Sequence, residues 1–508
     1  MHYLIIWPSD GHLRGPPLKP FRLDCTCGIN GDLSMWIKKD QHDQDTGLAS
    51  PIPTQIVANE EFAPMPQSSA QKKVEARIFT LADKNASALG LTRRDFLRTT
   101  GGMATAFLAF NDVFGPTFNV HAAEALETAA YKEQWPKGEF IFDAQNHHVH
   151  DGMAGPLMFR KLTGKYGMNP DLIGIEPRKG DLHRANFLKE IFFDSDTVMG
   201  LISGAAIGRT PEDYILTIEE MIKTRNTINN AAGSQRMLSH GIVDPTDPGC
   251  LDEVSRQVEE LGIDGFKLYT GNPGGPWMFD DEEIAYPLLE HIRELGAINV
   301  STHKGLSLGG RMTPYYMPTD IPTVAKQFRD MNFIIYHSGM QHMMAQMPAS
   351  FTGVDADGYI PWTTDLCRAR DADPAMTNVY MELGGVFGYS VITHPQICGH
   401  LLGQIIRSFG ADHVIWGTDC IWWGSPQWLI EAFRRFQIPE NLQEEFGYAP
   451  ITDQDRRLIF GENLARLYNV DIDAKRREIP GDAITKMKTA YTEQGAEPSN
   501  TAYGWIHA

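Results

Sequence analysis

The chain of 508 residues has six cysteines, few for its length, and no apolar run approaching the ~18 residues a membrane-spanning helix needs. A disulfide framework is thereby excluded, since Cys250, Cys367, Cys398 and Cys420 are dispersed. Cys25 and Cys27 form a lone Cys-x-Cys, short of the ligand count of a structural metal cluster. Positive charge is also scarce. Lys and Arg total 45 against 64 Asp and Glu, a net charge of −19, so nucleic acid and anionic lipid are excluded as main partners.

Residues 1–90 are rich in Pro, Gly, Gln, Asp and Ser with weak apolar periodicity, and low order is expected there. Then Thr92-Arg93-Arg94-Asp95-Phe96-Leu97-Arg98 is followed by a modestly apolar stretch over 101–110 and small residues over 120–125. That order of charged, apolar and small residues is the order of an export signal. The Arg93-Arg94 pair with Phe96-Leu97 resembles the twin-arginine type and implies the twin-arginine export machinery as a partner. Periplasmic or extracellular location is expected after export, cytoplasmic if the signal is unused. Its place well inside the chain points to a start codon assigned too far upstream. Cleavage near Ala123 or Ala125 leaves a mature chain that begins shortly before Tyr131.

The texture changes after Glu139. Short apolar segments over 140–145, 197–202, 237–243, 265–269, 298–302, 333–336, 379–383 and 414–417 read as strands. Amphipathic stretches over 211–229, 251–261, 282–295, 321–331, 395–409 and 428–436 read as helices between them. Eight alternations predict an α/β fold of the (β/α)8 barrel type over 126–470, with a C-terminal extension over 471–508. The alternative, an open doubly wound sheet, would show a Gly-rich phosphate loop after its first strand. Histidines stand there instead.

A barrel of this kind places its active site at the C-terminal ends of its strands. Those ends carry His147, His148 and His150 after strand one, His303 after strand five, His337 after strand six and Asp419 after strand eight. Lys267 and Glu382 come from strands four and seven. Singly, each histidine is equally a buried core residue, and Asp419 equally a helix cap. Their joint placement carries the inference. Neutral imidazoles and a carboxylate suit one divalent ion, zinc first and manganese second. Such an ion makes hydroxide available near neutral pH, and a further His or Asp moves the proton.

The pieces Phe142-Asp143-Ala144-Gln145-Asn146-His147, Ser301-Thr302-His303, Ile335-Tyr336-His337-Ser338-Gly339, Trp416-Gly417-Thr418-Asp419 and the ending over 460–468 resemble the amidohydrolase-related family. That group contains the aminocarboxymuconate-semialdehyde and aromatic-acid decarboxylases. The resemblance implies a single barrel in which the strand-one histidines, His303 and Asp419 hold one metal and His337 handles the proton. It also implies a homodimer. Strand one departs from the family's Asp-x-His-x-His. Anchoring on Asp143 puts Gln145 in the first His place and His147 in the second; anchoring on the histidines uses His148 and His150. Strand side chains alternate faces, and the apolar alternation favours the first register, with Phe140 and Phe142 facing the helices. In two-metal relatives a strand-four lysine is carboxylated. Here an ion pair of Lys267 with Glu382 is the favoured reading.

Trp277, Phe279, Tyr315, Tyr316, Trp422 and Trp423 are candidates for a substrate wall, and Arg311 for a carboxylate anchor. The expected activity is hydrolysis of a small organic substrate such as an amide, lactone or ester. Alternatives are a non-oxidative decarboxylase of a small carboxylic acid and a metal-free binding barrel.

Overall fold

The computed structural model describes residues 36–38, 50–54, 67–135, 137–150, 182–206, 214–272, 274–306, 312–341, 357–421, 424–496 and 505–507. Eight parallel strands stand in sequence order: β1 (Phe142–Asn146), β2 (Met199–Ile202), β3 (Met237–Gly241), β4 (Gly265–Leu268), β5 (Asn299–His303), β6 (Asn332–Tyr336), β7 (Val379–Glu382) and β8 (Val414–Ile415). The last meets the first. Ala144 N donates to Trp416 O at 3.0 Å, Asp419 N to Gln145 O at 3.0 Å and His147 N to Cys420 O at 2.8 Å, which closes the (β/α)8 barrel. A short antiparallel pair, Trp36–Lys38 with Trp505–His507, forms a separate two-stranded sheet.

The period-two pattern of the strands sorts their side chains into two cores. Phe333 and Ile335 of β6 join the large core under the helices, whereas Ile334 and Tyr336 fill the barrel interior with Leu201, Tyr380 and Ile415. Leu464, Ala465 and Ile479 close that interior from the C-terminal segment. Phe140 and Phe142 belong to this interior core, not to the helix-facing side that the alternation predicts. The reason is a register shift in β1 between Asp143 and Asn146. An extra residue there lets Phe142 point inward and still brings Gln145 and His147 to the barrel mouth. Asp143 does not face the axis. Its carboxylate accepts from Gln145 N at 3.1 Å, Thr418 N at 3.0 Å and Thr418 Oγ1 at 2.5 Å, tying β1 to the segment after β8.

Residues 69–89, expected to have low order, form the 21-residue helix α1 (Ser69–Leu89). A Ser68–Gln71 capping box starts it, Gly90 ends it in the left-handed conformation, and Val74, Ile78, Ala82 and Ala86 form one buried stripe at i, i+4 spacing. Arg93 and Arg94 lie in α2 (Arg93–Leu97), capped by Thr92. The apolar stretch becomes α3 (Thr100–Phe114), packed on α1. Among the described residues, no helix is long and apolar enough to cross a membrane. Around the barrel, α4 (Pro395–Phe409) has the predicted bounds, and α5 (Gln427–Arg435) begins and ends one residue earlier than predicted. The C-terminal residues are also built in: α6 (Ala483–Glu493) buries Ile484, and Asp482 just before it takes Arg236 in a two-pronged ion pair at 2.6 and 3.0 Å.

Asp143→Ala leaves the buried amides of Gln145 and Thr418 without their acceptor, at about 1–3 kcal/mol each, so a large loss of unfolding free energy is expected in denaturant titrations. Burial pushes the Asp143 carboxyl up to about 6 from an ordinary value near 3.8. Folding therefore takes up a proton in that window. The Asp143 contribution is fully present below the lower value and declines as pH rises through the upper one.

Candidate active site

Each strand end delivers its side chain by the same rule, the inward-facing position at the C-terminal edge. His147 Nε2 meets Asp419 Oδ1 at 2.5 Å, and Gln145 Nε2 donates to the same oxygen at 2.8 Å. His303 Nδ1 and His337 Nε2 are 3.1 Å apart. The two groups share one mouth. A Cβ built on Gly385 would lie 3.4 Å from both Asp419 Oδ2 and His337 Nδ1. Asp419 and His337 both hold a left-handed backbone, with φ of 60° and 61°. Non-glycine residues pay strain for that conformation, and it concentrates at functional sites.

The tautomers follow from the partners. His337 Nδ1 lies 2.8 Å from the Gly384 carbonyl, which only accepts, so Nδ1 carries the proton. Burial holds the His337 imidazole down at about 4, against the opposing pull of Asp419 and the Gly384 bond, so it is neutral at pH 7. Its Nε2 is then an acceptor and His303 Nδ1 the donor. Burial first, then His337, keep His303 well below its ordinary range, so its Nε2 carries a lone pair. The His303 ring is held by Tyr269, stacked at 4.8 Å, and by Tyr316, edge-on at 5.3 Å.

Glu382 sits beneath this pair. Its carboxylate accepts the amides of His337 at 3.1 Å and Gly384 at 2.6 Å, and burial pushes it well above the usual carboxylate range. It does not pair with Lys267. The Lys267 ammonium lies 4.2 Å from the ring centres of both Tyr269 and Tyr336, and burial lowers it to about 7 although Asp419 and Glu382 pull the other way. The room for Glu382 comes from missing side chains: a Cβ at Gly417 would fall 1.6 Å from Glu382 Oε1, and one at Gly384 2.1 Å from Gln145 Oε1.

Not every expected residue joins the site. His148 points away, with Nε2 2.7 Å from Thr224 Oγ1 and its ring against Phe187; the shifted β1 register sends it to the outer face. The His150 amide bonds to Ile215 O at 3.3 Å. Trp277 and Phe279 are 1% and 0% exposed and pack on each other in the core, so they form no substrate wall. Arg311, Trp422 and Trp423 lie outside the described residues. Tyr269 was legible and missed: it stands two residues beyond Lys267, on the same face of β4. His240 was missed too. It is fully buried between Ser203 Oγ at 2.7 Å and Tyr468 Oη at 2.9 Å, inside the barrel, and burial lowers it to about 3.

A divalent ion is tested by the donors. Among the described residues no three His, Cys, Asp or Glu side chains converge as a finished ligand set; His147 and Asp419 bond to each other. The donor types nevertheless fit. Neutral imidazoles and a carboxylate are present, and Gln145 Oε1 is buried at the mouth with no hydrogen-bond partner.

The depressed histidines give a pH expectation. A neutral buried imidazole stabilises fully above its unfolded value near 6.5 and loses that contribution as pH falls toward its folded value, about 4 for His337 and about 3 for His240 and His148. Asp143 and Glu382 oppose this with the reverse sign. With these three histidines and His303, which burial also lowers, against the two carboxyls, stability measured by denaturant midpoint is expected to fall between pH 7 and 5. The slope is expected to lessen in His337→Gln.

No curated protein is similar enough to the chain to match it. Among solved structures, an uncharacterized TIM-barrel protein of Bordetella bronchiseptica is 17% identical, covering 65% of this chain and 98% of that one, with a TM-score of 0.42. The 5-carboxyvanillate decarboxylase of Sphingomonas paucimobilis is 14% identical, covering 66% and 100%, with a TM-score of 0.40. A probable 2-pyrone-4,6-dicarboxylic acid hydrolase of Acinetobacter baumannii is 13% identical, covering 65% and 99%, with a TM-score of 0.38. The family model described as amidohydrolase matches residues 228–470, a span that contains His303, His337, Glu382 and Asp419. Over residues 228–470, the chain is similar to the amidohydrolase family.

Proposed function

We propose that the protein is a metal-dependent hydrolase of a small organic amide, lactone or ester. The observation that carries this reading is the convergence of His147 with Asp419 and of His303 with His337 around Gly385 at one barrel mouth. His147, Asp419 and His303 would hold the ion, with Gln145 Oε1 as a fourth donor. A bound divalent ion would supply an acidified water and polarise a substrate oxygen.

The chain's own residues do the rest. His337 is neutral at pH 7 and is anchored through Nδ1 to Gly384, so its Nε2 is the atom that accepts a proton from the attacking water once the hydrogen bond from His303 Nδ1 opens, His303 keeping its own proton. Glu382 fixes the amide of His337 and thereby the imidazole's place. Tyr269 and Tyr316 hold the His303 ring at two angles and keep water from its faces. To hold an ion, His147 and Asp419 would give up their mutual hydrogen bond.

One observation favours decarboxylation as a second reading. The Lys267 ammonium is buried in the barrel against ring faces rather than a carboxylate, which leaves its charge available to a substrate carboxylate.

Elemental analysis of the purified full chain is expected to find about one divalent ion per molecule, lost in both His303→Ala and Asp419→Ala. A metal-free parent after incubation with zinc or manganese would overturn the hydrolytic reading in favour of a metal-free binding barrel. Lys267→Met separates the two activities. It is expected to leave hydrolysis of neutral esters within a few-fold, and to lower turnover of carboxylate substrates by about 100-fold, the cost of one lost charge-assisted contact of about 3 kcal/mol.

A further inference from the structure

The stretch over 92–125 reads in sequence as a removable export signal, yet it is among the best-buried parts of the outer shell. We propose that residues 67–135 are a permanent wall of the folded protein, and that this stretch is retained rather than cut away.

The case begins within the segment. In α3, Ala104, Ala106, Phe107 and Ala109 are 0% exposed and Phe110 is 1%. Phe96 and Leu97, the apolar pair of the signal-like motif, are buried as well, so of its characteristic side chains Arg94 is the one left exposed. Gly101 and Gly102 permit the close crossing. A Cβ at Gly102 would fall 2.5 Å from the Leu97 backbone, and one at Gly101 2.6 Å from Ala125 O. The crossing therefore needs the very residues around the expected cleavage point.

The second half of the case is the barrel side. Residues 117–119 run beside the end of α5 like an added strand: Gln437 N donates to Thr117 O at 2.8 Å, and Asn119 N to Arg435 O at 2.7 Å. Phe118 stands edge-on to Phe436 at 6.0 Å. Arg435, on the barrel helix α5, is 0% exposed because the N-terminal segment covers it. Its guanidinium lies over the rings of Phe107, Tyr131 and Trp135 at 5.1, 5.5 and 4.8 Å. Its Nη1 donates to Glu124 at 2.8 Å, and the Trp135 indole donates to the same carboxylate at 3.0 Å.

Cleavage after Ala125 would remove Phe107 and Glu124 together. Arg435 would keep the rings of Tyr131 and Trp135 but lose its 2.8 Å carboxylate, with Glu431 at 3.7 Å the remaining acid and the Phe107 face uncovered. Removing one partner of a buried ion pair is among the costly changes a protein can suffer, because the remaining charge stays desolvated. A signal that is discarded has no need to satisfy a buried charge of the enzyme it leaves behind.

The test uses the full chain with a protease recognition sequence inserted after Leu126, which is 44% exposed. After cutting under native conditions, the N-terminal fragment is expected to co-elute with the barrel in size-exclusion chromatography, and to part from it only as the barrel melts. Loss of the barrel's fold on the fragment's departure would support the proposal equally. Departure of the fragment from a barrel that keeps the melting midpoint of the uncut chain would overturn it. In the uncut chain, Glu124→Ala is expected to lower the midpoint by several degrees, because it takes from the buried Arg435 its 2.8 Å carboxylate partner and leaves only Glu431 at 3.7 Å. An unchanged midpoint would likewise count against the segment as a wall.

Discussion

The structure depends on the seam between β8 and β1. Seven of the eight strand contacts of the barrel come with sequence neighbours; the eighth must be made across the length of the chain. Beside the backbone bonds across the seam, Asp143 secures it by accepting the Gln145 amide of its own strand and both donors of Thr418. That carboxylate sits one residue from the Thr418–Asp419 step, so the interaction that closes the barrel also sets where Asp419 points. The register shift in β1 belongs to the same device. It turns the strand so that Phe142 fills the interior while Gln145 and His147 reach the mouth.

The architecture was legible because it rests on periodicities that need no partner. Strand positions emerged within a residue or two, since short apolar runs between amphipathic helices have few other solutions. The strand ends were legible too, because His303, His337 and Asp419 stand immediately after runs whose direction is fixed. Legibility failed where one residue changes the phase. The β1 shift reverses the faces predicted for Phe140, Phe142 and Asp143 and carries His148 out of the site, and an alternation pattern contains no sign of it. It failed again for Trp277 and Phe279, whose ring-on-ring packing in the core is a tertiary fact. At the N-terminus, a composition suggestive of disorder hid α1, whose buried stripe of Val74, Ile78, Ala82 and Ala86 is half alanine. A segment that is polar over most of its length can still hide a narrow stripe that packs well.

The mouth is also a case of polarity set by acceptors rather than by charge. A single carbonyl, that of Gly384, decides which nitrogen of His337 is protonated. Through the 3.1 Å contact it decides the tautomer of His303 as well. Buried groups around this mouth are shifted against their charged forms: the imidazoles of His303 and His337 downward, Glu382 upward and Lys267 downward. The result is a set of groups whose proton positions are fixed by geometry, with little net charge in the absence of a ligand.

The side-chain-free positions at Gly384 and Gly417 impose a limit on divergence. With Glu382 wedged between them, no larger residue fits at either position unless the carboxylate moves, and moving it displaces the amide of His337. The floor of the site is therefore closed to gradual change by substitution. A lineage built on this barrel would acquire new substrates by altering the rim above that floor, with the proton-handling plane inherited intact.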